Sequence, residues 1–62
     1  MKVELVSKYG EPHRRNADVM KTTNGYCVRL YKGDDYIRTV ECYDHSESYA
    51  EDVAENWVLK LL

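Results

Sequence analysis

The chain has 62 residues, 44% of them hydrophobic, with nine basic against eleven acidic side chains and a formal charge of −2. A chain this short hides about 60% of its unfolded surface, so one small domain spanning residues 1–62 is expected, with a single modest core. An apolar run of about 18 residues for a membrane span is lacking, residues 1–6 do not read as a secretory signal, and two cysteines are far too few for a disulfide scaffold, so a soluble cytoplasmic domain is expected.

In chain order, Val3 and Leu5 alternate with polar neighbours and predict a strand over residues 1–7. Residues 10–15, Gly-Glu-Pro-His-Arg-Arg, have no periodicity and predict an exposed loop. The pair Asn24-Gly25 predicts a type I′ hairpin turn, because both residues tolerate positive φ, and it implies a strand near residues 18–23. A short helix starting at Asn16 is the competing reading of that stretch. Residues 26–31 and 36–43 are rich in β-branched and aromatic side chains and predict two further strands around a turn at Gly33-Asp34-Asp35. Pairing Lys32 with Tyr36 sets Val28 opposite Val40, Leu30 opposite Arg38, and Glu41 opposite Cys27, diagonal to Arg29. Ser48 and Glu51 have capping-box spacing and open a helix over roughly residues 47–61. Tyr49, Val53, Trp57 and Leu61, with Ala50, Ala54 and Val58 beside them, line its apolar half. The expected fold is α+β, an antiparallel sheet of three to four strands with one C-terminal amphipathic helix on one face. Trp57, Val53, Leu61, Val28, Leu30 and Val40 are the expected core.

Charge is divided along the chain. Residues 1–32 carry seven basic and three acidic side chains, net +4, and residues 33–62 carry two basic and eight acidic, net −6. Such a division marks a molecule with two different faces, or acids placed early in a helix to complement its dipole.

Catalysis is not expected. There is no phosphate-cradling glycine loop and no nucleophile elbow, and the adjacent Asp44-His45-Ser46 point in diverging directions rather than converging as a triad must. These side chains, with Ser48, suit helix capping. Cys42 and His45 form one Cys-x-x-His pair, and His13 and Cys27 add no second tight pair, so neither zinc nor any other cofactor is expected. A Cys27–Cys42 disulfide needs a one-residue change of register, and free thiols are expected instead.

Two binding surfaces stand out. On the helix, Glu51, Asp52 and Glu55 surround Leu59, which falls off the apolar stripe, as does Leu62; in the loop, His13, Arg14 and Arg15 follow Pro12. Together these residues suit docking on a larger protein, with acids steering encounter and Leu59 as anchor. The alternative is single-stranded nucleic acid or RNA, bound by Lys8, Tyr9, Arg14, Arg15, Tyr31, Lys32, Tyr36 and Arg38, where tyrosines and cations interleave. The state of association is open between monomer and homodimer.

The short chain, the tyrosine-rich hairpin and the helix of residues 49–58, Tyr-Ala-Glu-Asp-Val-Ala-Glu-Asn-Trp-Val, resemble small accessory proteins encoded by tailed phages. The resemblance covers roughly residues 25–62. It implies a sheet-plus-helix interaction module that inhibits or redirects a host enzyme, working in the host cytoplasm.

Overall fold

The computed structural model describes residues 2–60. Four strands, β1 (Val3–Gly10), β2 (Arg15–Thr22), β3 (Gly25–Lys32) and β4 (Asp35–Cys42), precede one helix, α1 (Glu47–Val58). The strands form an antiparallel meander in the order β1-β2-β3-β4. The helix rests on β1, β2 and β3, so the fold is α+β with a single helical layer on one sheet face.

Alternation decides which side chains meet the helix. Ala17 and Val19 from β2, Val28 and Leu30 from β3, and Cys42 from β4 are buried against Ala50, Ala54 and Trp57. The sequence places the helix correctly but puts its buried stripe one residue too far round. Tyr49 is exposed, Val53 and Val40 are half-buried, and the seam runs along Ala50, Ala54 and Trp57. Alanine lets the helix approach the sheet closely, which a tyrosine at the seam would prevent. Leu61 and Leu62 lie outside the described residues.

The cap also differs. Ser46, not Ser48, is the N-cap; its Oγ accepts the Tyr49 amide at 3.3 Å, and Glu47 supplies the first-turn acid. The helix ends at Val58, earlier than the expected end at 61, and Lys60 turns into the left-handed region at φ 64°.

The predicted register holds for Val28–Val40, Leu30–Arg38 and Cys27–Glu41. It fails at the turn, where Tyr31 pairs with Tyr36 and Lys32 with Asp35 across a bulge. A second bulge interrupts β1 between Leu5 and Ser7. Both bulges lie on edge strands, where they hinder pairing with another chain. Residues 15–22 form a strand, so the helix alternative at Asn16 is excluded, and β1 continues to Gly10 rather than stopping near 7. The expected loop is correspondingly shorter, because Gly10 and Arg15 belong to strands.

The β2–β3 turn is Thr23-Asn24, flanked by a Thr22–Gly25 pair, rather than one centred on Asn24-Gly25. The Thr22 hydroxyl holds the Asn24 amide at 3.0 Å, and neither Thr23 nor Asn24 has positive φ, so the expected type I′ turn does not form. Glycine is still required at 25: its φ is 126°, and a Cβ there would sit 2.7 Å from the Tyr43 carbonyl oxygen.

The second sheet face carries no helix. Leu5, Met20, Cys27 and Glu41 form one row across it, and Lys8, Asp18, Arg29 and Thr39 the next. Met20 and Cys27 are nevertheless only 8% and 6% exposed. Among the described residues, no helix is long and apolar enough to cross a membrane.

Candidate functional site: a strip of opposite charges

The helix flank that overhangs β1 is acidic. The Tyr9 hydroxyl, on the helix side of β1, donates to Glu51 Oε1 at 3.1 Å. Its ionisation is pushed upward by burial first, then by the bond to Glu51 and the negative fields of Glu51, Glu55 and Asp52. The phenol therefore touches Glu51 and lies in the negative field of the flank. Glu51 is half-buried by this bond, whereas Asp52 and Glu55 are exposed and make no ion pair among the described residues. Leu59 stands 58% exposed at the end of the same flank. Helical phase brings Ser48, Glu51, Asp52, Glu55 and Leu59 to that side.

Beyond Tyr9 the strip changes sign. Val58 covers Gly10, whose absent Cβ would approach Val58 Cγ2 to 3.1 Å and the Arg15 carbonyl oxygen to 2.3 Å. Past this contact, His13, Arg14, Arg15, Lys32 and Lys60 line a cavity of about 630 Å³, with Glu11 as the acid on its wall. Arg15 is half-buried: its guanidinium lies 4.2 Å above the Trp57 ring, and Nη1 donates to the Trp57 carbonyl oxygen at 3.5 Å. The loop that carries Arg14 is pinned in place. Asn16 Nδ2 donates to the Arg14 and Gly33 carbonyl oxygens at 2.9 and 3.2 Å, and the Gly33 amide donates to the Arg14 carbonyl oxygen at 2.9 Å.

The interleaved tyrosines and cations do not make one platform. Tyr31 and Tyr36 meet edge to face at 5.8 Å on the helix-free sheet face, where Lys8 pairs with Asp18 at 3.4 Å. Tyr9, Lys32 and Arg38 lie on the other side, because adjacent strand residues point oppositely. Arg38 is exposed beside Leu30's partner position on β4, away from Arg14 and Arg15. Strand alternation thus divides the sequence-predicted nucleic-acid set between two faces.

Val58 packs against the core as its place in the apolar half of the helix predicts, and it also walls the cavity together with Lys60, which lies beyond the helix end. Their link to residues 13–15 depends on where the helix ends over the sheet, and a periodicity does not fix that. Cys27 and Cys42 point to opposite faces and are free thiols. Among the described residues no three His, Cys, Asp or Glu side chains converge as a metal centre would require.

Comparison with family models, with curated proteins and with solved structures finds no match for this chain. The fold and surface define a small α+β domain with a charge-polarised strip.

Proposed function

We propose that the domain is a non-enzymatic interaction module that docks on a larger protein through the strip running from the acidic helix flank to the basic loop. One observation carries this reading: the charge changes sign along one continuous surface, from Asp52 and Glu55 beside Tyr9 to Arg14, Lys32 and Lys60 beyond Val58. A partner with the opposite polarity would gain at both ends, and a partner in the reversed orientation would meet like charge at both ends. Leu59, exposed between them, supplies an apolar anchor. The resemblance to phage accessory proteins supports the finer proposal that the partner is a host enzyme that the domain inhibits or redirects.

Single-stranded nucleic acid is the weaker reading, because Tyr31 and Tyr36 lie on the sheet face opposite the basic cavity. The two separate in one experiment. Wild type, Glu51→Lys/Glu55→Lys and Leu59→Ala are used as bait in nuclease-treated lysate. Docking predicts a defined partner retained by wild type, associating more slowly with the charge-reversed bait at low salt and dissociating faster from Leu59→Ala. Loss of every captured species on nuclease treatment would overturn it.

A further inference from the structure

The cavity at the loop end holds more positive charge than the fold needs. We propose that it is a binding site for a small polyphosphate-class oxyanion, a compact ligand carrying linked phosphate groups. This goes beyond the docking reading and does not depend on it.

The cations reach the cavity from separate places. Arg14 comes from the β1–β2 loop, Arg15 from the start of β2, Lys32 from the end of β3, and Lys60 from the turn after the helix. Among the described residues, the side chains of Arg14, Lys32 and Lys60 make neither an ion pair nor a hydrogen bond, and Lys60 adopts a left-handed conformation at φ 64° with its amide donating to the Trp57 carbonyl oxygen at 3.0 Å. Leaving aside Arg15, which is engaged with Trp57, three cations, Arg14, Lys32 and Lys60, share the wall with one acid, Glu11, in a protein whose net charge is −2. Like charges brought together in a concavity repel unless a counter-charge enters it.

A helix C-terminus ordinarily disfavours anions, because its free carbonyls point outward. Here the Trp57 carbonyl at that end is covered. The Leu59 amide donates to the Glu55 carbonyl oxygen at 2.9 Å, the Lys60 amide and Arg15 Nη1 both reach the Trp57 carbonyl oxygen, and the Arg15 guanidinium lies flat on the indole. The loop that presents Arg14 is fixed by Asn16 and Gly33, so the cavity requires little ordering on binding.

Size and surroundings select the ligand. A volume of about 630 Å³ admits a small molecule, and guanidinium forks with ammonium groups match several phosphate oxygens at once. An extended nucleic-acid backbone leaving the cavity would meet Asp34 and Asp35 in the neighbouring turn on one side and the acidic helix flank on the other. A compact ligand stays clear of both.

The test is titration of the ¹⁵N-labelled protein with sodium pyrophosphate, against sodium chloride at matched ionic strength. The expected result is saturable shifts at residues 13–15, Lys32 and Lys60 that chloride does not reproduce. Arg14→Gln/Lys32→Gln should weaken binding roughly tenfold or more, while its melting temperature is maintained or raised because repulsion is relieved. Arg38→Gln, which removes a cation elsewhere, should bind as wild type does. Equal shifts with chloride, or undiminished binding by the folded double variant, would overturn the proposal. So would a 5′-phosphorylated oligonucleotide that binds at these residues and is not displaced by pyrophosphate.

Discussion

The Tyr9 hydroxyl donates to Glu51 across 3.1 Å, tying the edge strand β1 to the middle of the helix. This bond marks where the core ends and the acidic flank begins. The phenol is desolvated and lies in the negative field of three carboxylates, so the folded protein keeps it protonated to higher pH than the unfolded chain, where it loses its proton near 10.0. The sign follows directly. The stability that Tyr9 contributes is complete below pH 10 and is lost as pH rises beyond that value. Urea midpoints at about pH 8 and at about pH 10.5 should therefore fall less steeply for Tyr9→Phe than for wild type. Equal slopes would mean that the phenol is not held against Glu51.

Trp57 joins three parts of the molecule. It is 7% exposed, its Nε1 donates to the Tyr31 carbonyl oxygen at 2.9 Å, and Arg15 covers its ring. Trp57→Ala removes most of the largest buried side chain and should cost about 3–5 kcal/mol, enough to unfold much of a domain this small. Trp57→Phe retains an aromatic body but leaves the Tyr31 carbonyl without its donor, at about 1–3 kcal/mol. Thermal melts followed by circular dichroism would show the graded loss. An alanine variant melting within a few degrees of wild type contradicts the core described here.

The two thiols should differ in reactivity. Burial pushes both upward; Arg29 partly opposes this at Cys27 and Glu41 adds to it, whereas the Cys27 field adds to it at Cys42. Cys42 is fully enclosed beneath the helix, and Cys27 is 6% exposed on the opposite face. Under native conditions Cys27 should be alkylated slowly and Cys42 only as fast as the domain unfolds, so urea should accelerate Cys42 far more. Mass spectrometry of the tryptic peptides distinguishes the two. Equal native rates would place Cys42 outside the core.

Much of the fold was legible because alternation and helical period are strong constraints on sequence. Val28, Leu30 and Val40 have few other ways to share a face, and the pairing between them survives the bulge at the turn. The turn itself was harder to read, because the Thr22 hydroxyl captures the Asn24 amide and the chain turns at Thr23-Asn24 instead. At the helix, Ser46 and Ser48 offer the same capping chemistry, and the preceding connection decides between them. For the site, the exposed acids and Leu59 follow from helical phase alone. The cavity does not, because Arg14, Lys32 and Lys60 are distant in sequence and meet only where the helix crosses the end of the sheet.

The docking claim is tested most directly by mapping backbone amide shifts of the ¹⁵N-labelled domain when its captured partner is added. Docking through the strip predicts that perturbation concentrates at Tyr9, at residues 13–15 and along the helix from Glu51 to Leu59, with the helix-free face unaffected. Perturbation centred instead on Met20, Cys27, Tyr31 and Tyr36 would put the interface on the opposite side of the sheet and contradict it.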